Sequence, residues 1–383
     1  MCVVYAHMQN GGNRMKFICS TSTLSAACQS VQRAVSTKTS IPAIEGIFIK
    51  AFGSELVLTG YDLELGITTS VSARVEENGG IVLNARVLCD ILRKLPDDTV
   101  SVESDERQMA IIRSGDMKYS LIGISPDEYP ELPTVTGGFP IVLQQDILRE
   151  MIRQTIFSVA VNENKVVHTG VKFEIENGEI KLIAVDGFRL AVRKESIDYT
   201  GDAITFIVPA KTLSEVVKLF SGDADATVSI GVGKRHIVFE VGGFTVVSRL
   251  LDGEFLNYRS AIPNLVSTTV RVSTQALIDS IERTSLIITD KIKSPLRCNF
   301  EEDEIRISST TSLGSANDKV PAQITGAPVE IGFNNRFLLE ALRVCDTDEV
   351  YLQLNGSVAP ILIVPPQGDS FLFLILPVRL KAE

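Results

Sequence analysis

Tryptophan is missing from this 383-residue chain, histidine occurs three times, and none of the six cysteines stands in a CxxC pair. With aromatic residues at 6% and no tryptophan, stacked aromatic platforms for single-stranded nucleic acid are disfavoured. Cys2, Cys19, Cys28, Cys89, Cys298 and Cys345 are scattered, which fits reduced, buried thiols and neither a zinc site nor a disulfide scaffold. No apolar run reaches the roughly 18 residues that cross a bilayer; "FLFLILPV" (371–378) has eight. The opening "MCVVYAHMQNGGNR" has no basic leader, long apolar stretch or small-residue cleavage site, so a soluble, cytoplasmic protein with no membrane partner is expected. GxxxxGK[ST], HExxH and GxSxG motifs are also absent, and His7, His168 and His236 do not suggest a triad or metal site. "GVGK" (231–234) lacks the second half of a phosphate loop and reads as a turn. A non-enzyme without cofactor or metal is the expectation.

What is present is a long-period repeat. The length exceeds one hydrophobic core, and 45% apolar residues can fill two or three. "LNARVLCDILRKLPDDTVSVES" from 83, "VPAKTLSEVVKLFSGDADATVSI" from 208 and "GFNNRFLLEALRVCDTDEVYLQL" from 332 share one grammar. Arg86, Lys211 and Arg336 fall at the same place in each, 125 residues apart both times. "GSELVLTGYDLELGI" pairs with "NGEIKLIAVDGFRLAV" and loosely with "EDEIRISSTTSLGSA", setting Asp62 against Asp186 in hairpin-like segments. A further amphipathic helix opens each repeat, at 20–35, 144–159 and 273–288.

Gly and Pro cluster near 137 and 264. The expected division is an N-terminal extension at 1–14 and repeats at 15–137, 138–264 and 265–383. Period-two runs such as "HIVFEVGGFTVVSRLL" dominate each repeat, giving an α+β class with two helices on antiparallel sheets.

The net charge of −10 argues against a protein that coats nucleic acid, unless the cations are segregated. They are. The six helical stretches, with Lys38 just past the first, hold twelve basic residues (Arg33, Lys38, Arg86, Arg93, Lys94, Arg149, Arg153, Lys211, Lys218, Arg283, Arg336 and Arg343) against seven acidic ones, leaving −15 elsewhere. For one helix this is an ordinary solvated face; six of one sign would gather a common field. If the repeats follow one another by a fixed rotation, a head-to-tail contact closes a ring or makes a filament. A closed positive ring could hold duplex DNA by topology, with weak, interchangeable phosphate contacts that permit sliding.

The sequence closely resembles the bacterial replicative sliding clamp family, the β subunit of DNA polymerase III, over Met15 to Leu380. "MKF" at 15, "SIPAIEGIFIKA", "LTGYDLELGI", "DEYPEL", "AVDGFRLAV", "LLDGEFLNYRSAIP", "IGFNNRFLLEAL" and "LPVRL" carry it by their order and spacing. The resemblance implies three tandem DNA-clamp domains, two chains closing head to tail into a six-domain ring, and no catalysis. Implied partners are duplex DNA without sequence preference, replicative polymerase, and an ATP-dependent clamp loader that, like other partners, binds through short linear peptides. Similarity starting at Met15 makes residues 1–14 an expected disordered extension, and Lys381 to Glu383 a tail.

The resemblance also places a peptide-binding pocket. It brings Val185, Gly187, Phe188, Arg189 and Leu190 against Leu374, Ile375, Leu376, Pro377, Val378, Arg379 and Leu380, ringed by His168, Leu256, Ser260, Ala261, Asn334, Phe337, Val358 and Pro360. Arg189 is expected to offer its stem as wall and its guanidinium as rim. Phe188, Leu256 and Ser260 depart from the family pattern of His, Pro and Arg. Two or three buried Leu or Phe anchors, each about 1.5–3 kcal/mol, less the ordering of a flexible peptide, predict binding near −8 kcal/mol, about micromolar. For ring closure the matches are Tyr119 and Leu121 against Leu286 and Ile287. For DNA they are Lys38, Arg86, Asn162 and Lys165, with Arg153, Lys211 and Arg336 placed by helix position. The competing reading is a non-ring scaffold that binds short peptides.

Overall fold

The computed structural model describes residues 14–380 apart from 38, 136–139, 162, 290, 291 and 293, and apart from the side chains of 163 and 164. Most of the expected N-terminal extension and the final three residues therefore lie outside the described residues.

Repeat one runs β1 (Met15–Ser20), α1 (Thr21–Val31), β2 (Gly46–Phe52), β3 (Glu55–Tyr61), β4 (Leu65–Ser72), β5 (Arg74–Glu77), β6 (Gly79–Asn84), α2 (Ala85–Leu92), β7 (Thr99–Ser104), β8 (Met109–Ser114) and β9 (Met117–Ile122). Repeat two runs β10 (Ile141–Gln144), α3 (Gln145–Ile156), β11 (Gly170–Glu176), β12 (Glu179–Val185), β13 (Arg189–Ser196), β14 (Ile204–Pro209), α4 (Ala210–Val217), β15 (Thr227–Val232), β16 (His236–Val241) and β17 (Phe244–Arg249). Repeat three runs β18 (Thr268–Ser273), α5 (Thr274–Ser285), β19 (Leu296–Glu301), β20 (Glu304–Thr311), β21 (Gly314–Gly326), β22 (Val329–Phe333), α6 (Asn335–Leu342), β23 (Glu349–Leu354), β24 (Ile361–Val364) and β25 (Phe371–Ile375). The repeat expected from the sequence is thus one order of elements used three times, with β5 an additional strand in repeat one.

Polar residues start the helices by occupying their orphan donors. Asn84 accepts from the Val87 N–H at 3.1 Å and Asn334 from the Arg336 N–H at 3.0 Å, while Ser20 and Ser273 accept from the third residue beyond them. The strands alternate buried and exposed residues, and their apolar sides face the helices. In repeat three Leu277, Ile281, Leu338 and Leu342 pack with Cys298, Phe300, Phe333 and Phe373. Cys19, Cys28, Cys89 and Cys298 are buried free thiols, and burial pushes Cys19 and Cys298 up to about 12, which keeps them protonated. "GVGK" is a turn only in its second half: Gly231 and Val232 end β15, and the turn to β16 is closed by the Gly233 N–H donating to the His236 carbonyl at 2.9 Å.

One position shows how the repeats keep their geometry. A Cβ on Gly60 would sit 2.1 Å from the Val31 carbonyl oxygen, because β3 crosses the end of α1 there. The same register place is Ala184 in β12 and Ser309 in β20, and the Ser309 hydroxyl donates to the Thr284 carbonyl near the end of α5 at 2.5 Å. Only small side chains fit this crossing.

The chain divides into two compact units, residues up to 145 with 214–250, and residues 146–213 with 251 onward. The middle repeat contributes one sheet to each, because hydrogen-bonded ladders run across the repeat borders. The first unit has a five-stranded sheet, β5-β1-β7-β8-β9, and an eight-stranded one, β10-β15-β16-β17-β4-β3-β2-β6. There β17 pairs with β4, from Phe244 opposite Thr69 to Ser248 opposite Leu65. The second unit holds a twelve-stranded sheet, β14-β11-β12-β13-β25-β24-β23-β18-β21-β20-β19-β22. There β13 pairs with β25, from Arg189 opposite Ile375 to Arg193 opposite Phe371. Among the open edges of the described residues, two match positions that are paired elsewhere in the repeats. β9 pairs only with β8, and Gly314–Pro321 of β21 pairs only with β20.

Candidate functional site

The β12–β13 hairpin turns on Asp186. Its Oδ1 accepts from the Phe188 N–H at 2.9 Å and the Arg189 N–H at 3.0 Å, and Gly187 takes φ +92° with open space where a Cβ would be. Asp62 makes the same turn in repeat one, accepting from Glu64 and Leu65, which is the physical content of the Asp62/Asp186 match. The turn leaves Phe188 61% exposed while its carbonyl accepts from the Leu376 N–H at 2.9 Å, joining hairpin and C-terminal segment.

One sheet face behind this turn is apolar. Ile183 and Val185 of β12, Leu190 of β13, Leu374 of β25 and Leu362 of β24 form a buried cluster with Tyr258, flanked by Phe255 and Ile262. Leu190 lies directly opposite Leu374. Phe188, Leu256, Val358, Leu376 and Val378 are large apolar side chains left exposed. His168 meets the Phe255 ring edge-on at 5.3 Å, and burial, helped by Lys165, holds its imidazole below its ordinary value and neutral at pH 7. Tyr258 anchors the floor by donating to Glu174 at 2.9 Å.

Two expectations for the pocket are corrected. The Arg189 guanidinium is not a rim: the residue is 7% exposed, with Nε on Asp186 Oδ2 at 2.9 Å, Nη1 on Glu340, and the cation 4.5 Å from the Phe337 ring centre and 5.4 Å from that of Phe157. Two carboxylates and two rings stand in for the water that the buried arginine gives up. Ile375 alternates to the opposite face and belongs to the core of repeat three with Ala191 and Phe373. Phe337 stacks on Phe188 at 6.1 Å. Asn334 caps α6, the Ser260 hydroxyl donates to the Asn257 carbonyl, and the Val378 N–H donates to Gly332 with Leu380 beside it. Ala261 and Arg379 are exposed, and Pro360 and Pro377 half-buried. Sequence reasoning missed Ile183, Leu362, Tyr258 and Glu340; strand alternation could have supplied the first two.

Arg86, Lys211 and Arg336 each occupy the second residue of α2, α4 and α6, helices with no acidic residue in the first turn. A cation there opposes the helix dipole, an effect that Arg86 and Arg336 offset in part by pairing with Asp90 and Glu340 one turn on. Arg86 and Arg336 keep side chains 88% and 74% exposed despite Asp90 and Glu340 nearby. Lys165 is exposed beside a kink in the 3₁₀ segment Glu163–Thr169. Arg153 differs from the expectation: it ties α3 to the end of α6, donating to the carbonyls of Arg343 at 3.2 Å and Val344 at 2.9 Å, and pairs with Glu150. Lys38 and Asn162 lie outside the described residues. Tyr119 and Leu121 lie half-buried along β9, Leu286 caps the C-terminus of α5 at 80% exposure, and Ile287 is half-buried.

Models of the DNA polymerase III beta subunit match in order: the N-terminal domain at 15–133, the central domain at 142–257 and the C-terminal domain at 259–379. The beta sliding clamp of Bacillus subtilis is 33% identical over 377 residues, covering 95% of this chain and 100% of the relative. The crystal structure of the Bacillus subtilis sliding clamp superposes with a TM-score of 0.94 at 32% identity, covering 96% of this chain and 100% of that one. The Pseudomonas aeruginosa sliding clamp bound to griselimycin superposes with a TM-score of 0.89 at 27% identity, again over 96% and 100%. With its threefold order of elements, its hairpin site and these matches, the chain belongs to the DNA polymerase III beta subunit family, the bacterial replicative sliding clamps.

Proposed function

We propose that two copies of this DNA sliding clamp close head to tail around duplex DNA and tether polymerase to it. Repeated ladder geometry carries the reading. β4 takes β17 and β13 takes β25, so β21, the third strand of that kind, is left to take β9, the third of the other kind, from a second chain. Unpaired edges are otherwise a liability for aggregation. Arg86, Lys211 and Arg336, with Lys38, Asn162 and Lys165, meet phosphates weakly enough to slide. The apolar face under Phe188 takes hydrophobic anchors of short peptides from polymerase and the ATP-driven loader, and griselimycin is proposed to bind there too. The protein works in the cytoplasm and has no catalytic step of its own.

Loading onto a nicked circular duplex tests this. The protein should stay on the circle in high salt and leave once the circle is linearised. Retention on the linear molecule, or a one-chain mass by light scattering, would favour the scaffold reading instead.

A further inference from the structure

We propose that Glu340 is a positioning residue shared by the peptide pocket and the DNA-contacting helix, so that an anion taken by Arg336 tightens the hold on Arg189 and with it the pocket. The inference rests on the DNA and peptide readings above.

Glu340 divides its two oxygens between two cations. Oε2 accepts from Arg189 Nη1, and Oε1 accepts from Arg336 Nε at 2.6 Å. The cations differ in access: the side chain of Arg189 is 7% exposed and that of Arg336 is 74% exposed. A phosphate can therefore compete for Arg336 and not for Arg189. Burial pushes the Glu340 carboxyl up, but its bonds to Arg336 and Arg189 outweigh that and hold it below the usual carboxylate range, charged at neutral pH.

The pocket is built on the same helix. Phe337, the residue after Arg336, supplies the ring against which the Arg189 cation and the exposed Phe188 both rest. Arg189 is also fixed through Asp186, which forms the turn presenting Phe188. When Arg336 turns to a phosphate, the full charge of Glu340 acts on Arg189, and the hairpin is held more firmly against α6. Linkage makes the effect reciprocal, so an occupied pocket strengthens the anion contact by the same factor.

The test uses fluorescent griselimycin and a short blunt duplex at low salt, with full-length wild type, Arg336→Gln and Glu340→Gln, each checked by thermal melting. Griselimycin should bind Arg336→Gln about twofold more tightly than wild type, the scale of an exposed helix ion pair. The duplex should tighten wild type by about the same factor and leave Arg336→Gln unchanged. Glu340→Gln should weaken binding about tenfold or more, as expected when a buried cation loses a partner. Unchanged or weaker binding by Arg336→Gln, or equal tightening by the duplex in wild type and Arg336→Gln, overturns the relay while leaving the pocket in place. Arg336→Gln is a surface change and decides the matter even if Glu340→Gln fails to fold. Failure of griselimycin to bind wild type overturns the pocket reading and the inference together.

Discussion

The two internal ladders fix a register for the proposed contact between chains. At one internal border Val246 lies opposite Ile67, and at the other Phe373 lies opposite Ala191. Ile67, Ala191 and Ala316 are equivalent, since they pair with Gly60, Ala184 and Ser309. Val246, Phe373 and Tyr119 are equivalent too, pairing with Phe239, Ile363 and Ile112. Tyr119 of one chain should therefore face Ala316 of the other, with Met117 opposite Asp318 and Leu121 opposite Gly314. Directly opposed residues have Cα atoms about 4.5–5.5 Å apart, inside the roughly 4.4–6.8 Å span of a disulfide. Combined Tyr119→Cys and Ala316→Cys changes should give a covalent two-chain product on mild oxidation, read on a non-reducing gel. Ser120→Cys with Ala316→Cys should give little, because a one-residue step points the side chain to the other face. Equal cross-linking of both pairs, or a product only from the control, would refute the register and with it the proposed closure.

Four further outcomes follow from the same geometry. Leu286→Asp should turn dimers to monomers: burying four-fifths of a leucine is worth about 1.2–2.4 kcal/mol, and a ring has two such contacts, so dimer dissociation rises by about 10²-fold or more in sedimentation without loss of melting temperature. Phe188→Ala should weaken griselimycin binding by about 1.5–3 kcal/mol in a titration while leaving stability nearly unchanged, since the ring is mostly exposed in the free protein. Arg86→Gln and Lys211→Gln should each lower the salt dependence of DNA binding by about one phosphate contact without changing any sequence preference. His168 has its folded value lowered, so the stability from keeping it neutral is complete above its unfolded value, about 6.5, and is lost as pH falls through the folded one; His168→Phe should flatten the fall in melting temperature between roughly pH 7 and 5.

Local chemistry made much of this fold legible. The 125-residue spacing of Arg86, Lys211 and Arg336 corresponds to one helical position used three times, and the caps and turn residues act where the sequence places them. Long-range choices were harder. Which strand edges meet depends on tertiary placement, so the ladders joining the repeats left no local sign. Ile375 departs from the expected pocket because alternation along β25 sends only every second residue to that face. The Arg189 guanidinium was expected at the rim because Glu340, 151 residues away, has no sequence mark as its partner. β21 is one strand of thirteen residues where repeat one has two, β4 and β5, a difference the loose third match did not resolve.

The ladder that joins β13 to β25 has a further consequence. Five residue pairs and an apolar cluster drawing on both repeats hold that border, quite apart from the peptide bonds passing between them. Continuity of the polypeptide there supplies proximity, whereas recognition resides in the strands, so a chain severed between 263 and 267 should reassemble from its two fragments.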